Sequence, residues 1–140
     1  MDPRPTTPPA VPDLNSIMSA IKPIVAIVDD DKSVRRALRR LVLSFAYEPE
    51  DFASGEEFLE SLARTIPGCV LLDLYMPGLD GLQVLAAMRS RKLDVPTIVI
   101  SGNSQPNIRE ICMEAGAAAY LQKPLDPDTV LSSIRSATAK

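Results

Sequence analysis

The chain holds 140 residues, 46% of them apolar and 24% charged, a balance that supports one compact core. Fifteen basic side chains against eighteen acidic ones leave a net charge of −3, without the basic excess that a phosphate backbone demands, so direct nucleic-acid binding is not expected. No apolar run approaches the roughly 18 residues of a membrane span, no signal-peptide pattern opens the chain, and histidine is absent, which removes His-dependent nucleophiles and metal sites. Cys69 and Cys112 lack metal-site spacing and read as buried bystanders in a reducing, cytoplasmic setting.

Six of the thirteen prolines fall in the first 23 residues, so residues 1–22 read as a Pro-rich, disordered or loosely packed extension, with a helical turn expected at 17–21. From Pro23 the pattern becomes short apolar runs alternating with helix-period segments, which predicts repeated βα units, a parallel sheet and one domain over 23–140. A first strand at 24–28 precedes a helix with Val34, Ala37, Leu38, Leu41, Val42 and Phe45 on one face and Arg35, Arg36, Arg39 and Arg40 on the other. These arginines fit a solvated face or a partner contact equally. The second strand, 48–52, contains Pro49 and is therefore expected at a sheet edge. Ser54 and Glu57 have capping-box spacing ahead of a helix burying Phe58, Leu59 and Leu62. A third strand at 70–74 is followed by a turn over 77–81 and a helix capped by Asp80, with Val84, Leu85 and Met88 inward. The fourth strand, 97–100, leads to a helix using Ile108, Ile111, Cys112 and Ala115 that stops at Gly116. A fifth strand at 119–121 precedes a helix capped by Asp126, with Pro127 at its first position and Val130, Leu131 and Ile134 facing the sheet.

In an open parallel sheet, ligands bind beyond the carboxyl ends of the strands. There the sequence places Asp29, Asp30 and Asp31 after the first strand, Asp73 at the third, Ser101 at the fourth and Lys123 at the fifth. Charge inside Val-Leu-Leu-Asp-Leu needs a reason. Clustered carboxylates repel one another unless a hard cation neutralises them, and magnesium fits Asp30 and Asp73. Lys123 would then meet a phosphoryl group as a compact positive charge, Ser101 would donate a hydroxyl, and Asp73 would be the nucleophile through an aspartyl phosphate. Asp31 reads as a helix cap.

Four segments carry a resemblance: Ile-Val-Asp-Asp-Asp at 27–31, Leu-Leu-Asp-Leu-Tyr-Met-Pro-Gly-Leu-Asp-Gly at 71–81, Ile-Val-Ile-Ser-Gly at 98–102 and Ala-Tyr-Leu-Gln-Lys-Pro at 119–124. Residues 23–138 resemble the receiver domain of two-component response regulators, the CheY-like superfamily, and are similar in wording to FixJ-like receivers. The resemblance implies a flavodoxin-like (βα)5 three-layer sandwich with strand order 2-1-3-4-5. It implies that Asp73 accepts a phosphoryl group from the phosphohistidine of a histidine kinase or phosphotransfer protein. Asp29, Asp30, Asp73 and the Tyr75 backbone carbonyl would hold magnesium, or manganese in its place. Ser101 and Lys123 would contact phosphoryl oxygens, and Lys123-Pro124 matches a cis peptide. Tyr120 matches the aromatic that turns inward as Ser101 moves, although a packed core tyrosine fits equally. Tyr75 and Asn103 stand at variable positions flanking the phosphoryl group, next to Gly102, and the bulk of Tyr75 is expected to shield it from water. Leu125 stands where many members carry Phe. Output would pass through the face formed by the fourth helix, fifth strand and fifth helix, which is also the face expected for a homodimer.

A degenerate receiver acting by contact alone would keep the same fold. A phosphatase of the haloacid dehalogenase type would need a second Asp two residues after Asp73, where Tyr75 stands. A flavin binder would need Gly, Ser or Thr amides rather than three aspartates after the first strand. The chain is expected to be either a stand-alone receiver or the receiver of a longer regulator with a DNA-binding output domain.

Overall fold

The computed structural model describes residues 22–102 and 105–139. Five parallel strands form one sheet: β1 (Ile24–Val28), β2 (Glu48–Phe52), β3 (Cys69–Asp73), β4 (Thr97–Ser101) and β5 (Ala119–Gln122), in the order β2-β1-β3-β4-β5. The five intervening helices are α1 (Lys32–Ser44), α2 (Gly55–Ser61), α3 (Gly81–Ser90), α4 (Ile108–Glu114) and α5 (Pro127–Thr138). The parallel sheet is the one that the repeated βα pattern predicts, and the flavodoxin-like three-layer sandwich with this strand order is the one that the family resemblance implies. Strand alternation divides the core between two faces. Ala26, Val28, Val70, Leu72 and Val99 pack with Phe58, Val84, Met88 and Cys112, placing α2, α3 and α4 on one side. Val25, Ile27, Leu71, Ile98 and Ile100 pack with Leu38, Val42, Val130 and Ile134, placing α1 and α5 on the other.

Caps set the helix starts. Asp31 accepts from the Ser33 and Val34 N–H groups at 2.8 and 3.3 Å, and Asp126 Oδ2 accepts from Thr129 N–H at 3.0 Å behind Pro127. The full capping box is at α3, where Asp80 accepts from Gln83 N–H and the Gln83 side chain accepts from Asp80 N–H, each at 2.9 Å. At α2 only half of the expected box forms: Ser54 Oγ accepts from Glu57 N–H, while Glu57 Oε2 takes the Ala53 N–H instead of that of Ser54. After α4 the chain turns at Gly116, with φ +108°, and Gly116 and Ala117 donate back to Met113 and Cys112. That pair of bonds is a Schellman ending.

Several expectations are corrected. β3 runs one residue earlier than 70–74, because Leu74 leaves the strand, and β4 and β5 each extend one residue further, to Ser101 and Gln122. Ala37 and Ile111 are exposed rather than inward, Ile111 at 45%, because the buried stripes of α1 and α4 are narrower than their apolar spacing suggests. The turn expected at 17–21 and the extension over 1–21 lie outside the described residues. No helix among the described residues is long and apolar enough to cross a membrane.

Candidate functional site

The rim at the carboxyl end of the sheet gathers side chains from four strand ends. Asp29 follows β1 and Asp73 closes β3, and both are buried, while Asp30 is exposed. One carboxylate oxygen from each lies within 4.8 Å of the others. Lys123, just past β5, brings Nζ to 3.5 Å from Asp29 Oδ2 and 3.7 Å from Asp73 Oδ1. Ser101, at the end of β4, is fully buried.

The electrostatics follow from this crowding. Burial, then the neighbouring Asp29, pushes Asp73 up from the ordinary 3.8 to about 6, against the relief of Lys123 and the Tyr75 backbone N–H. Asp29 is also pushed up, chiefly by burial, with the Asp31 N–H and Lys123 pulling the other way. Two of the three carboxylates, Asp29 and Asp73, thus share one ammonium within ion-pair reach, and oxygen is the only donor type that the three offer. Such a donor set suits a hard divalent cation of the magnesium or manganese kind.

Around this centre, Tyr75 is 43% exposed and its hydroxyl donates to Gln105 Oε1 at 3.4 Å, so the ring reaches from the end of β3 toward the segment before α4. Gly102 is exposed, and a Cβ built there would meet Lys123 Cδ at an ordinary 3.8 Å. Tyr120 is 7% exposed and packs among the core residues of the α2–α4 face. The Lys123–Pro124 peptide is cis. Leu125 is half-buried against the α1 and α5 side. Asn103 lies outside the described residues. Asp31 turns to its capping role, away from the acidic cluster.

Sequence reasoning missed two parts of this rim. Gln105 is a partner for Tyr75 that no local pattern announces. Arg35, for which the sequence leaves a solvated face and a partner contact equally open, instead donates from Nη1 to the Asp29 carbonyl at 2.7 Å. Its position one turn after Asp31 on the helix that follows the three aspartates was the available signal.

Comparison with known proteins agrees with this arrangement. The family model described as the response regulator receiver domain matches residues 25–135. The response regulator MprA of Mycobacterium leprae (strain TN) is 38% identical over 112 residues, covering 80% of this chain and 49% of that protein. This chain therefore spans about half the length of the curated relatives it matches. Among solved structures, a response regulator from Chloroflexus aurantiacus J-10-fl superposes with TM-score 0.80 at 27% identity, over 85% of this chain and 99% of the other. FixJ-N gives 0.78 at 28%, over 84% and 94%, and the response regulator StyR gives 0.77 at 33%, over 84% and 59%.

Proposed function

The chain belongs to the response regulator receiver domain family, and on that premise we propose that Asp73 is its phosphoacceptor, loaded in a magnesium-dependent reaction. The observation that carries this is the buried Asp73 carboxylate, grouped with Asp29 and Asp30 and 3.7 Å from the Lys123 ammonium. The donor is the phosphohistidine of a histidine kinase or phosphotransfer protein, a reading supported by the family to which the chain belongs.

A carboxylate oxygen of Asp73 forms the new P–O bond while the P–N bond to the donor imidazole breaks, and the electron pair leaves with the nitrogen. The protein's part is positioning and charge. Asp29, Asp30, Asp73 and the Tyr75 carbonyl are the residues that would hold the cation, which when bound offsets charge on the carboxylates and the phosphoryl oxygens. Lys123 supplies a second fixed positive charge, and Ser101 supplies a hydroxyl at the adjoining strand end. Tyr75, with its hydroxyl on Gln105, shields the acyl phosphate from water. Self-catalysed transfer and hydrolysis of this kind make the domain a signalling acceptor rather than a metabolic enzyme.

Output passes through the face of α4, β5 and α5 to an output domain, a separate partner in the cytoplasm or a second copy of the chain. Ile111 and Met113, exposed on α4 at 45% and 41%, support a contact surface there. Phosphorylation shifts the population of a pre-existing arrangement of that face by no more than its differential stabilisation of the two states.

The test is intact mass after incubation with phosphoramidate or acetyl phosphate, with and without magnesium. One phosphoryl adduct is expected, requiring magnesium, slowed in Lys123→Ala and decaying faster in Tyr75→Ala. An adduct that forms equally well without magnesium contradicts the mechanism, and an unchanged decay rate removes the role of Tyr75. No adduct from either donor or from a phosphorylated histidine kinase would favour a degenerate receiver acting by contact.

A further inference from the structure

Asp29 is fixed at each of its polar atoms by a different part of the fold. Its N–H donates to the Phe52 carbonyl of β2 at 3.1 Å, and its carbonyl accepts from Arg35 Nη1 of α1 at 2.7 Å. Its Oδ1 accepts from the Asp31 N–H at 2.8 Å, and its Oδ2 faces Lys123 Nζ at 3.5 Å. The Arg35 contact is the least expected, because an arginine on an exposed helix ordinarily extends into water.

Arg35 is itself held. Its side chain is 15% exposed, and Nε lies 3.4 Å from Asp51 Oδ2 at the end of β2. The second Asp51 oxygen, Oδ1, takes Arg39 Nη1 at 3.2 Å, and the same nitrogen reaches the Pro49 carbonyl at 3.4 Å. The Arg39–Asp51 pair is half exposed and contributes little alone. Its consequence is directional: it orients Asp51, which orients Arg35, which grips the peptide joining Asp29 to Asp30.

We infer that Arg35 is a positioning residue for the acidic rim, fixing through the Asp29 carbonyl the turn from which Asp29 and Asp30 project their carboxylates. The inference rests on the reading of that rim as a cation and phosphoryl site. A charge-assisted bond to a strand-end carbonyl is stronger than the bond to water that would replace it. Without it the Asp29–Asp30 peptide gains freedom to rotate, and rotation carries the Asp30 side chain away from Asp73. Groups that orient ligands in this way ordinarily affect affinity for a metal far more than they affect the fold.

Arg35→Lys separates placement from field, since it keeps the charge and loses the two-atom grip on Asp29 and Asp51. Two readouts apply to protein whose fold is checked by circular dichroism: the magnesium dissociation constant by calorimetry, and hydrogen exchange of the Asp31 amide without metal. Arg35→Lys is expected to raise the dissociation constant about tenfold and to accelerate Asp31 exchange, while Arg36→Lys changes neither. Asp51→Asn gives a smaller change in the same direction, and it carries the test should Arg35→Lys fail to fold. Wild-type magnesium affinity in folded Arg35→Lys overturns the inference. Should the wild type bind no magnesium, the reading of the rim fails, and unaltered Asp31 exchange in Arg35→Lys would separately overturn the role of Arg35.

Discussion

Asp73 ends a strand whose every residue is buried, beside two other carboxylates and one lysine, so its ionised form is held at a cost. The folded state binds its proton more tightly than the unfolded chain, with the group raised from 3.8 to about 6. Ionisation of Asp73 therefore takes nothing from stability below about pH 4 and progressively more as pH rises toward 6, reaching about 3 kcal/mol above it at 1.36 kcal/mol per unit. Asp73→Asn should remove that penalty. In metal-free protein at pH 7.5 its thermal midpoint is expected above that of the wild type, with the gain vanishing near pH 4. Magnesium should raise the wild-type midpoint and leave the variant nearly unmoved. A variant less stable than the wild type at pH 7.5 without metal would show that Asp73 is a satisfied structural carboxylate. The identity of this residue was legible because a carboxylate inside an apolar strand is too costly to bury unless a partner or a ligand meets it. The role of Arg35 was not, since α1 carries four arginines and a side chain of that length separates where its Cα stands from where its guanidinium arrives.

Elements place these residues through close backbone approach as much as through packing. Gly81, the first residue of α3, lies where an added Cβ would come 2.9 Å from the Asp73 carbonyl oxygen and 2.9 Å from Leu74 Cα. Its N–H donates to the Leu74 carbonyl at 2.8 Å. Both obstructing atoms are backbone, one of Asp73 and one of the residue after it, so relief requires moving α3 or β3. Gly81→Ala is expected to lose about 1–3 kcal/mol through overpacking, more than it gains in helix propensity. Urea unfolding reads this as a lower midpoint with an unchanged slope, and a midpoint at or above the wild type would contradict the close approach. The edge strand β2 shows a second device. Glu48 N–H bonds to Pro23 and Phe52 accepts from Asp29, so residues 48, 50 and 52 turn toward β1 and the missing N–H of Pro49 falls on the open side. Pro49 made this edge readable in advance. The exposure of Ile111 was not readable, because in a helix of seven residues the buried stripe is decided by which neighbours close over it, and spacing alone carries no such information.

At the scale of the whole molecule, five βα units converge on one rim, and each contributes little alone. The parallel sheet followed from the repeat of apolar run and amphipathic helix, and the edge place of β2 from its proline, while the full strand order was legible only through the family resemblance. The cluster followed from the rule that strand ends at one side of a parallel sheet meet. Lateral ties across the rim, from Tyr75 to Gln105 and from Arg35 to Asp29, join residues 30 and 6 positions apart through side chains, and no periodicity encodes them. The central claim is that this convergence makes Asp73 the acceptor, although Asp29 and Asp30 lie close enough to compete. Peptide mapping after borohydride reduction of the phosphorylated protein decides among them, since reduction converts an aspartyl phosphate to homoserine. Homoserine is expected at position 73 alone, and only when magnesium was present during phosphorylation. Homoserine at position 29 or 30, or none in protein that carries the phosphoryl adduct, would contradict that claim.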